Sequence, residues 1–332
     1  MSENTIENFT TFLENQGAVD VPEIQTEELV RITVDGDKGS EQSGSYKLFM
    51  NEGNGVPSGY INNYRTGAYE KWSGKAIDSA QRISPVDIQQ RKAAKQQEKA
   101  LFQAIKFQQF KKEWDSLKPA DVWHPYMRAK NLKESLFKRV DIKMDDKHNL
   151  VFAIKDMNGT ITNLQRIWSA GNKQMEKDGT LTGSFVKISG TADANRKSKF
   201  ILVAEGVATA ATVNNITGIE TYAALTSNNL SYVASAIKKK HPDKTIVIPG
   251  DNDYLLTLDH KKNAGVVSAK EAAELVGGVA VFPPFKMVEL QANQTDWNDF
   301  YKCRGFASTR DALRTAFKKI IDMRNDVETV KV

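Results

Sequence analysis

FILVAEGVATAATVNNITGIETYAALTSNNLSYVASAIKKKHPDKTIVIPGDND, residues 200–253, decides the fold. Residues 200–205, 220–225 and 244–249 are short apolar runs, and the segments between them, 208–216 and 231–241, have helical character. Strands that are apolar throughout are buried on both faces, and spacers of this length hold a crossover helix. A helix at 264–276 and a strand at 279–284 continue the alternation. The pattern predicts an α/β domain with a mostly parallel sheet flanked by helices.

In such sheets, sites form at the carboxyl ends of the strands, and two of these ends are acidic. The first strand ends in Glu205-Gly206, and the third runs into Asp251-Asn252-Asp253. Asp251 and Asp253 are two apart and point the same way on extended backbone. Gly206 is expected to let the chain turn sharply and a ligand approach the backbone closely. With no lysine expected near them, three converging carboxylates repel one another, and a divalent cation is the usual remedy. Ligation by oxygen alone suits Mg2+ or Mn2+, left partly hydrated and open to phosphate. The same residues also serve as turn formers or as caps of the following helices. Asp296-Trp297-Asn298-Asp299 supplies further acids after the fourth strand. Both acids can support the metal or supply a second ligand, or Asp299 can simply cap a helix running from residue 300.

Outward from this domain the character changes twice. Residues 85–118, rich in Gln, Lys and Ala, predict a long helix opening at Ser84-Pro85 and closing before Pro119. Its apolar positions thicken towards the C-terminal half, so the first half is expected to be exposed and the second packed. A helical stretch at 121–139 leads into strands at 150–155 and 160–168, joined by Asp156-Met157-Asn158-Gly159, and a third strand at 184–189. Arg166, Lys173, Lys177 and Lys187 lie on or between them. Residues 1–20 read as an amphipathic helix stopping at Gly17. Residues 28–72 read as a small antiparallel sheet with Tyr46, Phe49, Tyr60, Tyr64, Tyr69 and Trp72 for its core. The expected organisation is a β-rich region (1–84), a basic helical connector (85–120), an α+β subdomain (121–198), the parallel-sheet domain (199–299) and a helical segment (300–332).

The chain of 332 residues has a net charge of +5. Residues 85–133 alone carry eleven Lys/Arg against five acids, a net of +6, which suits either a solvated helix face or a polyanionic partner such as nucleic acid. No run approaches the ~18 apolar residues of a membrane span, and the acidic, polar N-terminus is not a secretory signal. A cytoplasmic location is therefore expected, with no membrane partner. One cysteine, Cys303, excludes an internal disulfide framework and a Cys-rich zinc ribbon, and the four histidines lack partners at ligand spacing.

The order AEGVATAAT (204–212), PGDND (249–253) and TDWNDF (295–300) resembles the Toprim domain, a Rossmann-like fold, of phage and plasmid primases of the TraC type and the satellite-phage alpha type. VFAIKDMNGTITNLQRIWSAGNKQM (151–175) and WHPYMRAKNL (123–132) resemble the α+β subdomain preceding Toprim, and GVPSGYINNYRTGAYEKW (55–72) resembles the family's N-terminal β region. The resemblance implies a DNA primase that makes short RNA primers on a single-stranded DNA template from ribonucleoside triphosphates, for phage or plasmid replication in a bacterial host cell. It makes Glu205, Asp251 and Asp253 catalytic, and Glu205, Asp251, Asp253 and Asp299 the ligands of Mg2+ or Mn2+. Arg166, Lys173, Lys187, Gly206 and Asn298 are the expected nucleotide or template contacts. Gln174 stands where the family pattern has a basic residue. The missing cysteines and the absence of a G-x-x-x-x-G-K-[ST] loop imply a zinc-free form acting with a separate replicative helicase. A Toprim-type nuclease, and a non-catalytic module binding single-stranded DNA or a replication protein, are the alternatives.

Overall fold

The computed structural model describes residues 3–50, 56–74, 85–258 and 262–329. Contacts divide the chain into two units, Met1–Ala100 and Leu101–Val332. In the first, α1 (Glu3–Asn15) ends at Gly17, whose φ of 85° is a left-handed turn suited to glycine. The strands β1 (Ala18–Val19), β2 (Val30–Val34), β3 (Gly44–Phe49), β4 (Ser58–Asn63) and β5 (Ala68–Ser73) form one antiparallel sheet in sequence order. Alternation along the strands turns Ile32, Tyr46, Leu48 and Ile61 towards Phe9 and Leu13 of α1. A Cβ at Gly59 would lie 2.5 Å from the Phe9 ring, so the helix can close on β4 only over a glycine. The expected aromatic core is therefore only partly found. Tyr46 and Trp72 meet Phe9, whereas Phe49, Tyr60 and Tyr69 occupy positions of the opposite parity.

The long helix α2 (Pro85–Ser116) carries the boundary between the units. Ser84, its expected opening residue, lies outside the described residues. Phe107, Phe110 and Trp114 pack against Val151, Ala153, Ile161 and Leu164, while Leu101 is 64% exposed.

The second unit begins with β6 (Lys118–Pro119), α3 (Pro125–Ala129), β7 (Ile142–Met144), β8 (Leu150–Lys155), β9 (Ile161–Ile167) and β10 (Lys173–Met175). The strands make an antiparallel sheet of order β10-β9-β8-β7-β6. The stretch expected as one helix over 121–139 is a five-residue helix and a 3-10 turn at Glu134–Lys138, because Asn131 takes a φ of 50° between them. His124 caps α3: its Nδ1 accepts from the Tyr126 N–H at 3.2 Å, while Nε2 pairs with the His148 carbonyl at 3.0 Å. The Asn-Gly turn forms as expected, with Gly159 at φ 85° and Asp156 accepting from the Asn158 and Thr160 N–H groups.

The third sheet comprises β11 (Val186–Ile188), β12 (Phe200–Ala204), β13 (Thr221–Ala223), β14 (Thr245–Pro249) and β15 (Val279–Val281), in the order β11-β13-β12-β14-β15. All pairings are parallel except that of β11, which is an antiparallel edge. The intervening helices are α4 (Ala192–Lys197), α5 (Val207–Thr217), α6 (Leu230–Lys240), α7 (Tyr254–Leu258), α8 (Ala264–Leu275) and α9 (Met287–Gln291), followed by α10 (Trp297–Thr329), which breaks at Gly305. On one face Ile201, Val203, Ile246 and Ile248 pack against α6 and α8. On the other, Leu202 and Val247 pack against α5 and α10. The strands are apolar throughout because both faces are covered. No helix among the described residues is long and apolar enough to cross a membrane.

Candidate active site

The parallel pairing brings the carboxyl ends of β12 and β14 together, and with them Glu205 and the Asp251-Asn252-Asp253 turn. Glu205 leaves β12 with its carbonyl accepting the Leu225 N–H at 2.7 Å. Leu225 holds a φ of 73°, an unfavourable conformation for a leucine. Two residues later the Ser227 N–H donates to the Glu205 carboxylate. Burial pushes the Glu205 pKa up and the charge of Asp253 adds to this, against the pull of Ser227 and Lys173.

Asp251 is the most electrostatically costly member. Burial, then the negative charges of Asp296, Glu205 and Asp253, hold its pKa well above the ordinary carboxylate range, and Lys173 opposes them. Its Oδ1 is buried without a hydrogen-bond partner. Asp253 is better served, since its Oδ2 accepts the Gly265 N–H at 3.1 Å at the start of α8. A Cβ at Gly265 would lie 2.8 Å from both the Asp251 carbonyl and Asp253 Oδ2. Gly265 is thus the glycine the site requires. Gly206, given that role from sequence, has an ordinary extended backbone (φ −92°) and nothing within 4 Å of a Cβ position, so it leaves open space but makes no special turn.

The fourth acid of the cluster is Asp296. It caps α10 by accepting the Asp299 N–H at 2.7 Å, and the Thr209 hydroxyl donates to it. Burial first, then Asp299, raises its pKa. The expected assignments of this segment are therefore corrected. The helix starts at Trp297, its cap is Asp296, and Asp299 donates its N–H to Asp296 while its carboxylate accepts from the Thr295 N–H at 3.3 Å. Sequence reasoning had Asp296 only as one of two further acids near the sheet edge and favoured Asp299, because a cap and a site acid look alike; its position one residue before the helix was the available signal.

The assumption that no lysine stands near the acids also fails. Lys173 is drawn to Asp296, Asp251 and Glu205, while burial first, then Lys130, lowers its pKa. Its ammonium lies 5.9 Å from the ring of buried Tyr126, whose hydroxyl has no partner. Lys173 thus sits with the carboxylates, joined by Lys130, which lies in the WHPYMRAKNL segment but was not among the expected contacts.

The other expected contacts are placed elsewhere. Arg166 is enclosed by Glu113, Glu176 and Asp145, the last at 3.2 Å, beside a polar cleft of about 610 Å3; three carboxylates already neutralise it. Lys187 pairs with Glu220 at 2.9 Å, at the amino end of β13 and away from the cluster. Asn298 is 0% exposed and donates to the Lys130 carbonyl at 2.7 Å and the Thr212 hydroxyl at 2.9 Å. It ties the segment carrying Lys130 to α5.

The donor set suits a hard cation. Four carboxylates outnumber two lysines, and a buried carboxylate oxygen lacks a donor. Among the described residues no three Asp, Glu, His or Cys side chains converge on a single ion. That arrangement fits an ion held by one or two carboxylates and completed by water and phosphate, as Mg2+ commonly is.

A mostly parallel sheet with acids gathered at its strand ends defines the class, and residues 200–307 match the Toprim domain family. The chain is similar to two proteins named DNA primase TraC from Escherichia coli. It is 35% identical to one over 258 residues (77% of this chain, 24% of that protein) and 31% identical to the other over 262 residues (78% and 18%). The chain thus spans about a quarter or less of these relatives. The primase of Aquifex aeolicus (zinc-binding and RNA polymerase domains) has a TM-score of 0.44 at 12% identity, covering 98% of this chain and 87% of that one.

Proposed function

We propose that the chain is a DNA primase: a metal-dependent nucleotidyltransferase that synthesises short RNA primers on single-stranded DNA from ribonucleoside triphosphates. The carrying observation is the meeting of Glu205, Asp251, Asp253 and Asp296 at the strand ends of a Toprim-matched sheet, with Asp251 Oδ1 buried and unpartnered. Asp251 and Asp253 would hold Mg2+ or Mn2+, with Glu205 assisting. Such an ion would supply charge stabilisation to the reacting phosphate. Glu205, whose pKa is raised by burial and by Asp253, is as a carboxylate a stronger base than an exposed one, and so is suited to take the proton of the attacking 3′-hydroxyl. Lys173, drawn to the carboxylates, would balance their charge and meet triphosphate oxygens.

The test is primer synthesis on single-stranded DNA with labelled ribonucleotides. Asp251→Ala should lower the rate about 100-fold or more, while the folded circular dichroism spectrum is kept. A variant as active as wild type would remove Asp251 from the site. Cleavage of labelled DNA without ribonucleotides would replace the primase reading by a nuclease. A helicase partner and a role in phage or plasmid replication in the host cytoplasm belong to the same proposal.

A further inference from the structure

We propose that the face of the N-terminal sheet opposite α1 is a binding platform for single-stranded nucleic acid. On β3, β4 and β5 the rings of Phe49, Tyr60 and Tyr69 form a continuous row. Tyr60 stands 6.4 Å from Phe49 and 5.3 Å from Tyr69, centroid to centroid. Tyr69 is 50% exposed. Aromatic residues on a one-sided sheet are ordinarily turned inwards, and here Phe9, Tyr46 and Trp72 already fill the inner face.

Cations are set among these rings. The Lys47 ammonium lies 5.0 Å from the Phe49 ring, the Lys71 ammonium 5.9 Å from Tyr69, and the Arg31 guanidinium 4.7 Å from Tyr64, which is itself 51% exposed. The register places Lys47, Tyr60 and Lys71 side by side on adjacent strands. The sole carboxylate on β2 to β5, Glu70, is paired with Ile61 and so belongs to the inner-face parity.

A row of rings flanked by positive charge and, on the described strands, free of acids fits one ligand chemistry well: unpaired bases that stack on the rings, strung on a phosphate backbone that meets the cations. A duplex hides its base faces and can use only the charge. An acidic protein could satisfy the cations but would leave the row of rings without a stacking partner. The inference stands on the N-terminal unit alone and does not depend on the catalytic reading.

The experiment is fluorescence anisotropy of the full chain with labelled oligothymidylate, oligouridylate and blunt duplex, in chelator and without nucleotides. Tyr60→Ala and Tyr69→Ala should each weaken single-strand binding about ten-fold, Tyr60→Phe should stay within about two-fold, and duplex binding should change little. Lys47→Gln combined with Lys71→Gln should flatten the slope of log affinity against log salt by about 1.4. The thymidylate and uridylate arms separate DNA from RNA. Alanine variants that keep the wild-type melting temperature and bind as wild type overturn the proposal, as does equal loss for duplex and single strand. If the alanine variants fail to fold, an unchanged salt slope in the lysine pair overturns it. Because the readout needs neither metal nor nucleotide, a chain inactive in primer synthesis can still pass and an active one can still fail.

Discussion

Asp251 illustrates how one residue can trade stability for a site. Its Oδ1 is buried without a donor, and three neighbouring carboxylates oppose its ionisation. Its folded pKa is raised, so the folded protein binds a proton that the unfolded chain releases. Stability is therefore full below the ordinary carboxylate range and is lost as pH rises through the folded value. A bound divalent ion inverts this, because it requires the ionised form. In chelator, Asp251→Asn is expected to raise the melting temperature, by about 2–4 °C for each kcal/mol of repulsion relieved. Wild type should be stabilised by Mn2+ more strongly at high pH than at low pH, and Asp251→Asn should lose most of that response. Thermal melts with and without Mn2+ at two pH values check both statements.

At the scale of the element, α3 is too short to hold itself together and depends on its cap. His124 is 3% exposed and must keep Nδ1 unprotonated to accept the Tyr126 N–H. Burial lowers its pKa below 6.5, with the His148 carbonyl and Asp121 opposing. A depressed folded value means stability that is present above the unfolded pKa and lost as pH falls through the folded one. Melting temperature should fall on acidification below the ordinary imidazole value of 6.5 through this residue, and His124→Asn should flatten that part of the profile while retaining a cap. His124→Ala should cost about 1 kcal/mol at neutral pH. A profile unchanged in His124→Asn would place the titration elsewhere. Because α3 carries Tyr126 and leads to Lys130, loosening it should also reduce the proposed primer synthesis.

At the scale of the whole molecule, each unit has its own core: Phe9, Leu13, Tyr46 and Ile61 in the first, and the clusters around the parallel sheet in the second. Calorimetry should resolve two transitions. Ile61→Ala, which empties a buried position, should destabilise one by about 2–5 kcal/mol and leave the other in place. A single transition shifted as a whole would show that the units unfold together. Much of this architecture was legible in the sequence, because fully apolar runs between helical segments admit few arrangements other than a covered parallel sheet. The carboxylates at 205, 251 and 253 were legible for the same reason: strand ends are positions in sequence as well as in space. The short strands β6, β7 and β10 were not, since two or three residues carry no periodicity. The outward rings of Phe49, Tyr60 and Tyr69 were misread as core because alternation leaves open which parity faces the helix. Sequence by itself determined the class of fold, the βα register and three of the four clustered acids, all of which follow from local patterns of apolar and charged residues. Tertiary structure alone decided that Asp296 and Lys173 join the cluster, that Arg166 is spent on Glu113, Asp145 and Glu176, and that Asn298 is buried. Those outcomes depend on packing between segments far apart in the chain, where distance and desolvation, rather than spacing along the sequence, set which charges meet.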